Sequence, residues 1–314
     1  MSDFSLSKTA FAPATVANVG SGFDIMGFAI NGSGDNVRVT FSPDTDNSLV
    51  KMTGAYAQLI PAERAKNTSS VAADFLFIAC SKKPSDYLIE LEKNMPLGSG
   101  MGSSAASAAA AVFAANSLLG SPFSTLQLIP FAMEGERVAC GAAHADNVGP
   151  SLLGGFVLIR SYSPLDIVAL PFPADLYAVV VHPHIELKTS DSRKVLPREV
   201  SMHNAITQAG NAAGLIAGLW QKDYELIGRS ISDVLAEPYR TQLIPGFDAF
   251  KKAALEAGAI ACGISGSGPS VFALCKGEIL AKEIAANIHT VFMNQGLISD
   301  VFISGMNAEG TRLV

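Results

Sequence analysis

The stretch Pro96-Leu97-Gly98-Ser99-Gly100-Met101-Gly102-Ser103-Ser104-Ala105-Ala106-Ser107 sets glycine at three alternate positions and then runs straight into an alanine-rich segment. Glycine reaches backbone conformations closed to other residues, so alternate glycines let a loop curl with its N–H groups facing inward. The Ala/Ser run from Ser104 to Asn116 favours a helix, and the positive end of that helix faces the curl. A chain built this way brings a helix N-terminus, free of bulky side chains, to a place where an anion can approach the main chain. The tandem serines add hydroxyls for a phosphate or its metal, which makes a nucleotide the expected occupant. Small residues also let a helix sit close to a sheet, so the loop alone is equally compatible with a tight turn before a buried helix. The pattern is not the P-loop, because Ser103 stands where that motif has Lys. Nor is it the dinucleotide fingerprint, which calls for an acidic residue about 20 positions on.

Composition narrows the partners. With 314 residues, 49% of them hydrophobic, the chain has ample material for a core. A net charge of −6 and no basic cluster speak against nucleic acid and for small-molecule chemistry. No uninterrupted apolar run reaches the roughly 20 residues of a membrane span, so no membrane partner is expected. The start Met1-Ser2-Asp3-Phe4 lacks a charged and then apolar secretory signal, so a cytoplasmic location is expected. Cys80, Cys140, Cys262 and Cys275 form no close metal-type pair and read as reduced, mostly buried thiols.

Periodicity and turn residues predict strands at Leu6–Ala12 and Asn36–Phe41, a helix over Thr68–Cys80, a strand Tyr87–Glu92, the alanine helix, and a helix Thr125–Gly135. A strand follows from Gly154 to Ile159, and Tyr162-Ser163-Pro164-Leu165 breaks the pattern before a strand Leu176–His182. A division between two lobes is therefore expected at 162/163. The second half predicts helices near Met202–Gln221, Tyr224–Leu235 and Pro245–Glu256, strands Ala261–Ile264 and Ser270–Leu274, a helix Leu280–Gln295 and a terminal strand.

Two further small-residue motifs accompany the first loop. Pro13-Ala14-Thr15-Val16-Ala17-Asn18-Val19-Gly20-Ser21-Gly22-Phe23-Asp24 reads as a strand end entering a glycine turn that finishes on a carboxylate. Gly263-Ile264-Ser265-Gly266-Ser267-Gly268-Pro269-Ser270 reads as a turn between two strands, with Ser265 and Ser267 available as donors toward the phosphate loop. With one such loop in each third of the chain, the sequence resembles the GHMP kinases, the superfamily of galactokinase, homoserine kinase, mevalonate kinase and phosphomevalonate kinase, along essentially its whole length.

The resemblance implies a two-domain α/β (α+β) fold. Residues 1–162 would form an ATP-binding lobe like the second domain of ribosomal protein S5, and residues 163–314 a ferredoxin-like lobe, with the active site between them. It also implies MgATP as co-substrate and a homodimer. The residues Pro96, Leu97, Gly98, Ser99, Gly100, Met101, Gly102, Ser103 and Ser104 would cradle the triphosphate. Asn67 matches the purine-side position, although on its own it reads equally well as the N-cap of the helix at Thr68. Phe23, Met26 and Met101 read as packing residues.

Within the superfamily the chain is most similar to the homoserine kinase branch, and side-chain chemistry points the same way. L-homoserine carries an ammonium, a carboxylate and a primary hydroxyl. Asp24 would meet the ammonium, and Arg193 and Arg240 match the carboxylate-binding pair, each of which could otherwise serve a surface salt bridge. Asn18, Thr189 and Gly266 match further substrate positions. By the same resemblance Glu136 would reach Mg²⁺ beside Ser104, with Glu134 as the rival ligand, while His144 and Asn147 would lie along the substrate. Asn147 departs from the mevalonate kinases, which carry a catalytic Asp there, and an amide cannot accept a proton as a base. Asp146, one residue away, is expected to point elsewhere and to serve structure. Catalysis would then rest on Mg²⁺, loop N–H groups and the helix end, with Asn18, His144 and Asn147 holding the hydroxyl in line. His144 is the sharper candidate for a base and a hydrogen-bonding role the plainer one. The outcome expected is formation of O-phospho-L-homoserine. The alternatives are a mevalonate- or shikimate-type kinase of the same superfamily, or a fold relative that binds nucleotide or amino acid without turnover.

Overall fold

The computed structural model describes residues 6–141 and 144–314, leaving aside the side chains of residues 139 and 140. The readings of residues 1–4 and of the Cys140 thiol fall outside the described residues.

The first lobe opens with strands β1 (Ser7–Val19) and β2 (Gly22–Phe41), joined at the Gly20-Ser21 turn, and continues with β3 (Lys51–Thr53), α1 (Thr68–Ala79), β4 (Tyr87–Glu92) and α2 (Ser103–Leu118). Helices α3 (Thr125–Cys140) and α4 (Ala145–Leu153) follow, then β5 (Phe156–Tyr162) and β6 (Leu165–Leu170). The second lobe runs β7 (Leu176–Pro183), α5 (Thr189–Lys194), α6 (Met202–Gln221), α7 (Tyr224–Ser230), α8 (Glu237–Arg240), α9 (Phe247–Glu256), β8 (Ala261–Ile264), β9 (Val271–Lys276), α10 (Glu278–Asn294) and β10 (Ser299–Gly305). A short β11 (Arg312–Leu313) returns to the first lobe.

Among the described residues there are two sheets. In the seven-stranded one the order is β11-β1-β2-β4-β3, and the long β2 also pairs with β5, which pairs with β6. The four-stranded sheet has the antiparallel order β10-β7-β9-β8. Its chain order of strand, helices, two strands, helix and strand is that of a split βαβ ferredoxin-like unit.

The alanine helix α2 sits at the centre. From Ala105 to Ala115 almost every residue is fully buried, because the small side chains let β1, β2, α1, α3 and α4 close around it. A helix surrounded on all sides needs no polar face. The same principle of close approach explains Gly135 inside α3, where a Cβ would stand 2.6 Å from the Thr68 carbonyl oxygen of α1. A second core, between the four-stranded sheet and α9 and α10, is built on Phe247, Phe250, Ile284, Ile288 and Phe292.

Several boundaries differ from expectation. The change of sheet falls between Leu170 and Leu176, later than 162/163, because β6 folds back on β5, and β11 rejoins β1 from the far end of the chain. The first predicted strand extends through Val19, so most of the first motif is strand and only Gly20-Ser21 is turn. Helix α3 continues past Gly135 to Cys140, and α4 forms despite Gly149 and Pro150. Pro150 sits deep in α4, where tertiary packing outweighs intrinsic propensity. The helix expected over Tyr224–Leu235 is instead α7 followed by a turn in which the Asp233 carboxylate accepts from the backbone N–H groups of residues 235–237.

Candidate active site

Gly98, Gly100 and Gly102 all have positive φ, at 58°, 76° and 68°, so the curl expected from the alternate glycines forms, and Gly102 caps α2. Neighbours press on it from outside. A Cβ on Gly102 would lie 2.1 Å from the Thr15 Oγ1, and one on Gly100 would lie 2.4 Å from the Ser265 carbonyl oxygen. The third motif is fastened to this loop: Ser265 Oγ donates to the Gly100 carbonyl at 2.8 Å, and Ser270 N–H donates to the Ser99 carbonyl at 3.2 Å. The Gly266 N–H in turn donates to the Ala17 carbonyl of the first motif at 2.9 Å, so all three loops meet at one place.

They surround a cavity of about 570 Å³, lined by Asn18, Asp24, Asn67, Gly98 to Gly100, Gly102 to Ser104, Glu136, His144, Asn147, Thr189, Arg193, Arg240 and Gly266. Most of the residues singled out in the sequence thus share one cleft. Pro96 and Met101 do not line it, and Met101 is fully buried beneath the loop.

At the start of α2, burial pushes the Glu136 carboxyl up to about 7, against the opposing pull of a hydrogen bond with Ser104 and of the Lys93 charge. Glu134 takes a different direction, pairing with Arg137 at 3.0 and 3.2 Å on the outer face of α3, away from the cleft. Lys93 was not singled out in the sequence, yet it lines the cavity, forms a buried ion pair with Asp35, and donates to the Ser103 carbonyl at 2.8 Å. Asp35 also accepts from the Asn94 and Met95 N–H groups and from the Ser107 hydroxyl, so the entry to the loop is clamped to β2. Burial drives the Lys93 ammonium below its ordinary value, and Asp35 and Glu136 pull it back. The available signal was an isolated Lys three residues before the loop's Pro96.

On the other side, Asn18 and Asp24 both adopt left-handed backbone conformations, with φ of 55° and 58°. Such conformations cost energy in residues other than glycine and persist where surroundings hold them. Here the Asn18 Oδ1 accepts from the Asp24 N–H at 2.7 Å, its Nδ2 donates to the Gly266 carbonyl at 2.8 Å, and the Tyr162 hydroxyl donates to the Asp24 carbonyl at 2.9 Å. Tyr162, read from sequence only as a pattern break, is thereby a clamp on the site.

The Asp24 carboxylate receives two hydrogen bonds from Arg193, at 2.7 and 3.1 Å, and the same guanidinium donates to His144 Nε2 at 3.2 Å. Arginine has only donors, so Nε2 is the accepting nitrogen and the His144 ring is neutral. Burial and the charge of Arg193 lower its pKa, in agreement. Arg240, only 2% exposed, donates to the Ser192 and Gly266 carbonyls. The Phe23 ring lies under both guanidiniums, with Cζ atoms 5.1 Å (Arg240) and 6.0 Å (Arg193) from its centroid, so it does more than pack.

Asn147 Oδ1 accepts from the Thr15 hydroxyl at 2.8 Å, which leaves its Nδ2 as a donor. Asp146 is among the residues that border the cavity, with its carboxyl buried. Burial, and then the Asp24 charge, push its carboxyl up to about 7, and its Oδ1 takes no hydrogen bond among the described residues. Asn67 caps α1, accepting from the Ser69 N–H at 3.1 Å, while its Nδ2 donates to the Pro61 carbonyl at 2.9 Å. Its amide therefore holds the wall formed by Leu59, Ile60 and Pro61.

A glycine cradle at a helix N-terminus and a buried carboxylate beside its serine, in one cleft, are the parts a nucleotide-dependent kinase requires. The family model described as GHMP kinases N terminal domain matches residues 67–155, and that described as GHMP kinases C terminal matches residues 215–293. The chain belongs to the GHMP kinase family. It is 50% identical to a homoserine kinase of Chlorobium phaeobacteroides, over 98% of this chain and 99% of the relative, and 38% identical to one of Xylella fastidiosa, over 97% and 93%. Among solved structures, homoserine kinase from Cytophaga hutchinsonii superposes with a TM-score of 0.95 at 47% identity, covering 100% of this chain and 99% of that one. An L. major mevalonate kinase in complex with R-mevalonate, at 13% identity and a TM-score of 0.70 over 94% of each chain, shares the fold.

Proposed function

We propose that this kinase transfers the γ-phosphoryl group of ATP to the hydroxyl of L-homoserine, giving O-phospho-L-homoserine. The observation that carries the reading is the convergence of Asp24, Arg193 and Arg240 in the cleft that also holds the glycine cradle. An α-amino acid needs one anion and a set of guanidinium donors, whereas an alcohol without an amine gives Asp24 nothing to bind. The identity of about half over nearly the full length to enzymes named homoserine kinase supports it.

The site's own residues account for the steps. The inward N–H groups of the loop and of the first turn of α2 receive the triphosphate. Ser104 and the buried Glu136 form a hard-oxygen pair suited to magnesium, which when bound would neutralise phosphate charge. Asn147 Nδ2, fixed by the Thr15 bond, orients the accepting hydroxyl. The hydroxyl proton passes late, to the transferred phosphoryl or to solvent, because phosphoryl transfer has a loose transition state that needs positioning and charge more than a strong base. Asn67 would position the purine wall. The setting proposed is a cytoplasmic homodimer acting toward threonine. No helix among the described residues is long and apolar enough to cross a membrane.

The test is phosphotransfer from MgATP to a panel of L-homoserine, mevalonate and shikimate. Turnover confined to L-homoserine is expected. Preferred turnover of mevalonate or shikimate, or none of the three, would overturn the assignment.

A further inference from the structure

The residues assigned to the two ends of the amino acid are bonded to each other. Asp24 and Arg193 form a two-point ion pair at 2.7 and 3.1 Å, with side chains only 27% and 35% exposed. The Asp24 backbone is held by Asn18 and Tyr162, which fixes the point from which its carboxylate reaches Arg193. Arg193 rides on the short α5, which is tied to the third motif through Ser192 Oγ and the Ser267 carbonyl at 2.8 Å.

We infer that the Asp24–Arg193 pair is a specificity filter that opens only to a zwitterion. An ammonium arriving at Asp24 displaces Arg193 and costs its guanidinium both bonds to the carboxylate. A carboxylate arriving at Arg193 strands Asp24 in a half-buried pocket. A ligand carrying both charges on one carbon supplies each partner with a replacement at the same moment, so the cost of opening is offset only for that ligand. Discrimination against half-ligands then comes from a pre-existing competing contact in addition to the contacts they lack. The same exchange releases His144 Nε2 from Arg193. Arg240 takes no part in the ion pair: its Nε and Nη1 donate to the Ser192 and Gly266 carbonyls, and the rest of its fork is left for the substrate carboxylate.

This inference rests on the L-homoserine reading, and the experiment separates the two. Calorimetry on the full chain measures binding of L-homoserine, 4-hydroxybutanoate (carboxylate only) and 3-aminopropan-1-ol (ammonium only) to wild type, Asp24→Asn and Arg193→Gln. Independent subsites predict that Asp24→Asn leaves 4-hydroxybutanoate affinity unchanged. The filter predicts a gain of about tenfold, because the Asp24 carboxylate no longer competes for Arg193, and a similar gain for 3-aminopropan-1-ol in Arg193→Gln, where the guanidinium no longer competes for Asp24. Both variants should lose L-homoserine affinity. The two variants test the filter independently, so if one fails to fold, the other still decides. Unchanged or weaker half-ligand binding in the folded variants overturns the filter while wild-type affinity for L-homoserine stands. Absence of L-homoserine binding to wild type overturns the underlying assignment instead.

Discussion

Thr15 and Asn147 stand 132 positions apart in the chain, yet their side chains meet at 2.8 Å beneath Gly102, whose absent Cβ would overlap both. One hydrogen bond thus ties the first motif to the residue proposed to orient the substrate hydroxyl, at the residue that caps α2.

Thr15→Val keeps the shape and removes the donor. Asn147 then loses its orienting partner, and kcat should fall by about tenfold with a smaller change in KM, for a loss of about 1 kcal/mol in stability. Gly102→Ala should be far worse, because the methyl group meets Thr15 and Asn147 and the left-handed φ also disfavours it. Steady-state kinetics with L-homoserine check both, and a Thr15→Val enzyme with unchanged kcat would remove the bond from catalysis.

The contrast between Glu136 and Glu134 concerns the metal. Glu136→Gln should lose most turnover and require more Mg²⁺, while ATP binding through main-chain N–H groups falls less. Glu134→Gln should be mild, since that carboxylate pairs with Arg137 outside the cleft. Turnover titrated against Mg²⁺ ranks the two, and the opposite ranking would shift the metal to Glu134.

Arg193→Ala and Arg240→Ala should each reduce kcat/KM for L-homoserine by an amount equivalent to about 2–4 kcal/mol. They should differ in stability. Arg240 is buried and satisfies two carbonyls, so its removal lowers the unfolding midpoint clearly, whereas Arg193 is part-exposed and its removal should lower it little. Near wild-type kcat/KM for both would sink the substrate assignment.

Asp146 sets a pH dependence. Its carboxyl titrates near 7 in the folded chain but in the ordinary carboxylate range when unfolded, so the folded state holds a proton that the unfolded state has released. The stabilising contribution is complete below the unfolded value, near 4, and is lost as pH rises toward about 7. Asp146→Asn removes this loss, so its advantage in unfolding free energy over wild type should grow between about pH 4 and 7, by on the order of 2–4 kcal/mol, and then level off. A difference that stays constant across that range, read by denaturant unfolding at each pH, would show that burial does not perturb this carboxyl.

What could be read from the chain was mostly local. The alternate glycines announce a left-handed curl because no other residue tolerates it so cheaply, and the alanines of α2 announce a helix that others can crowd. The three motifs could be recognised, and the cleft brings them together. Their bonds to one another, such as Ser265 to Gly100 and Asn18 to Gly266, depend on approach between distant segments that leaves no periodic trace. Lys93 and Asp35 escaped notice for the same reason, being isolated charges 58 positions apart that acquire meaning only once buried together. Helix α4 was hidden by Gly149 and Pro150, and β6 by the turn residues before it.

The pairing of Leu313 with Ala10, and of Arg312 with Phe11, makes the edge of the first sheet depend on the far end of the chain. During synthesis β1 emerges early, but the strand that borders it is made only after the whole second lobe. Until then Ala10 and Phe11 at the outer edge of β1 lack that partner. A fragment cut after β6 would leave the backbone groups of these two residues without their β11 partners, and an open strand edge is a place where chains pair with one another.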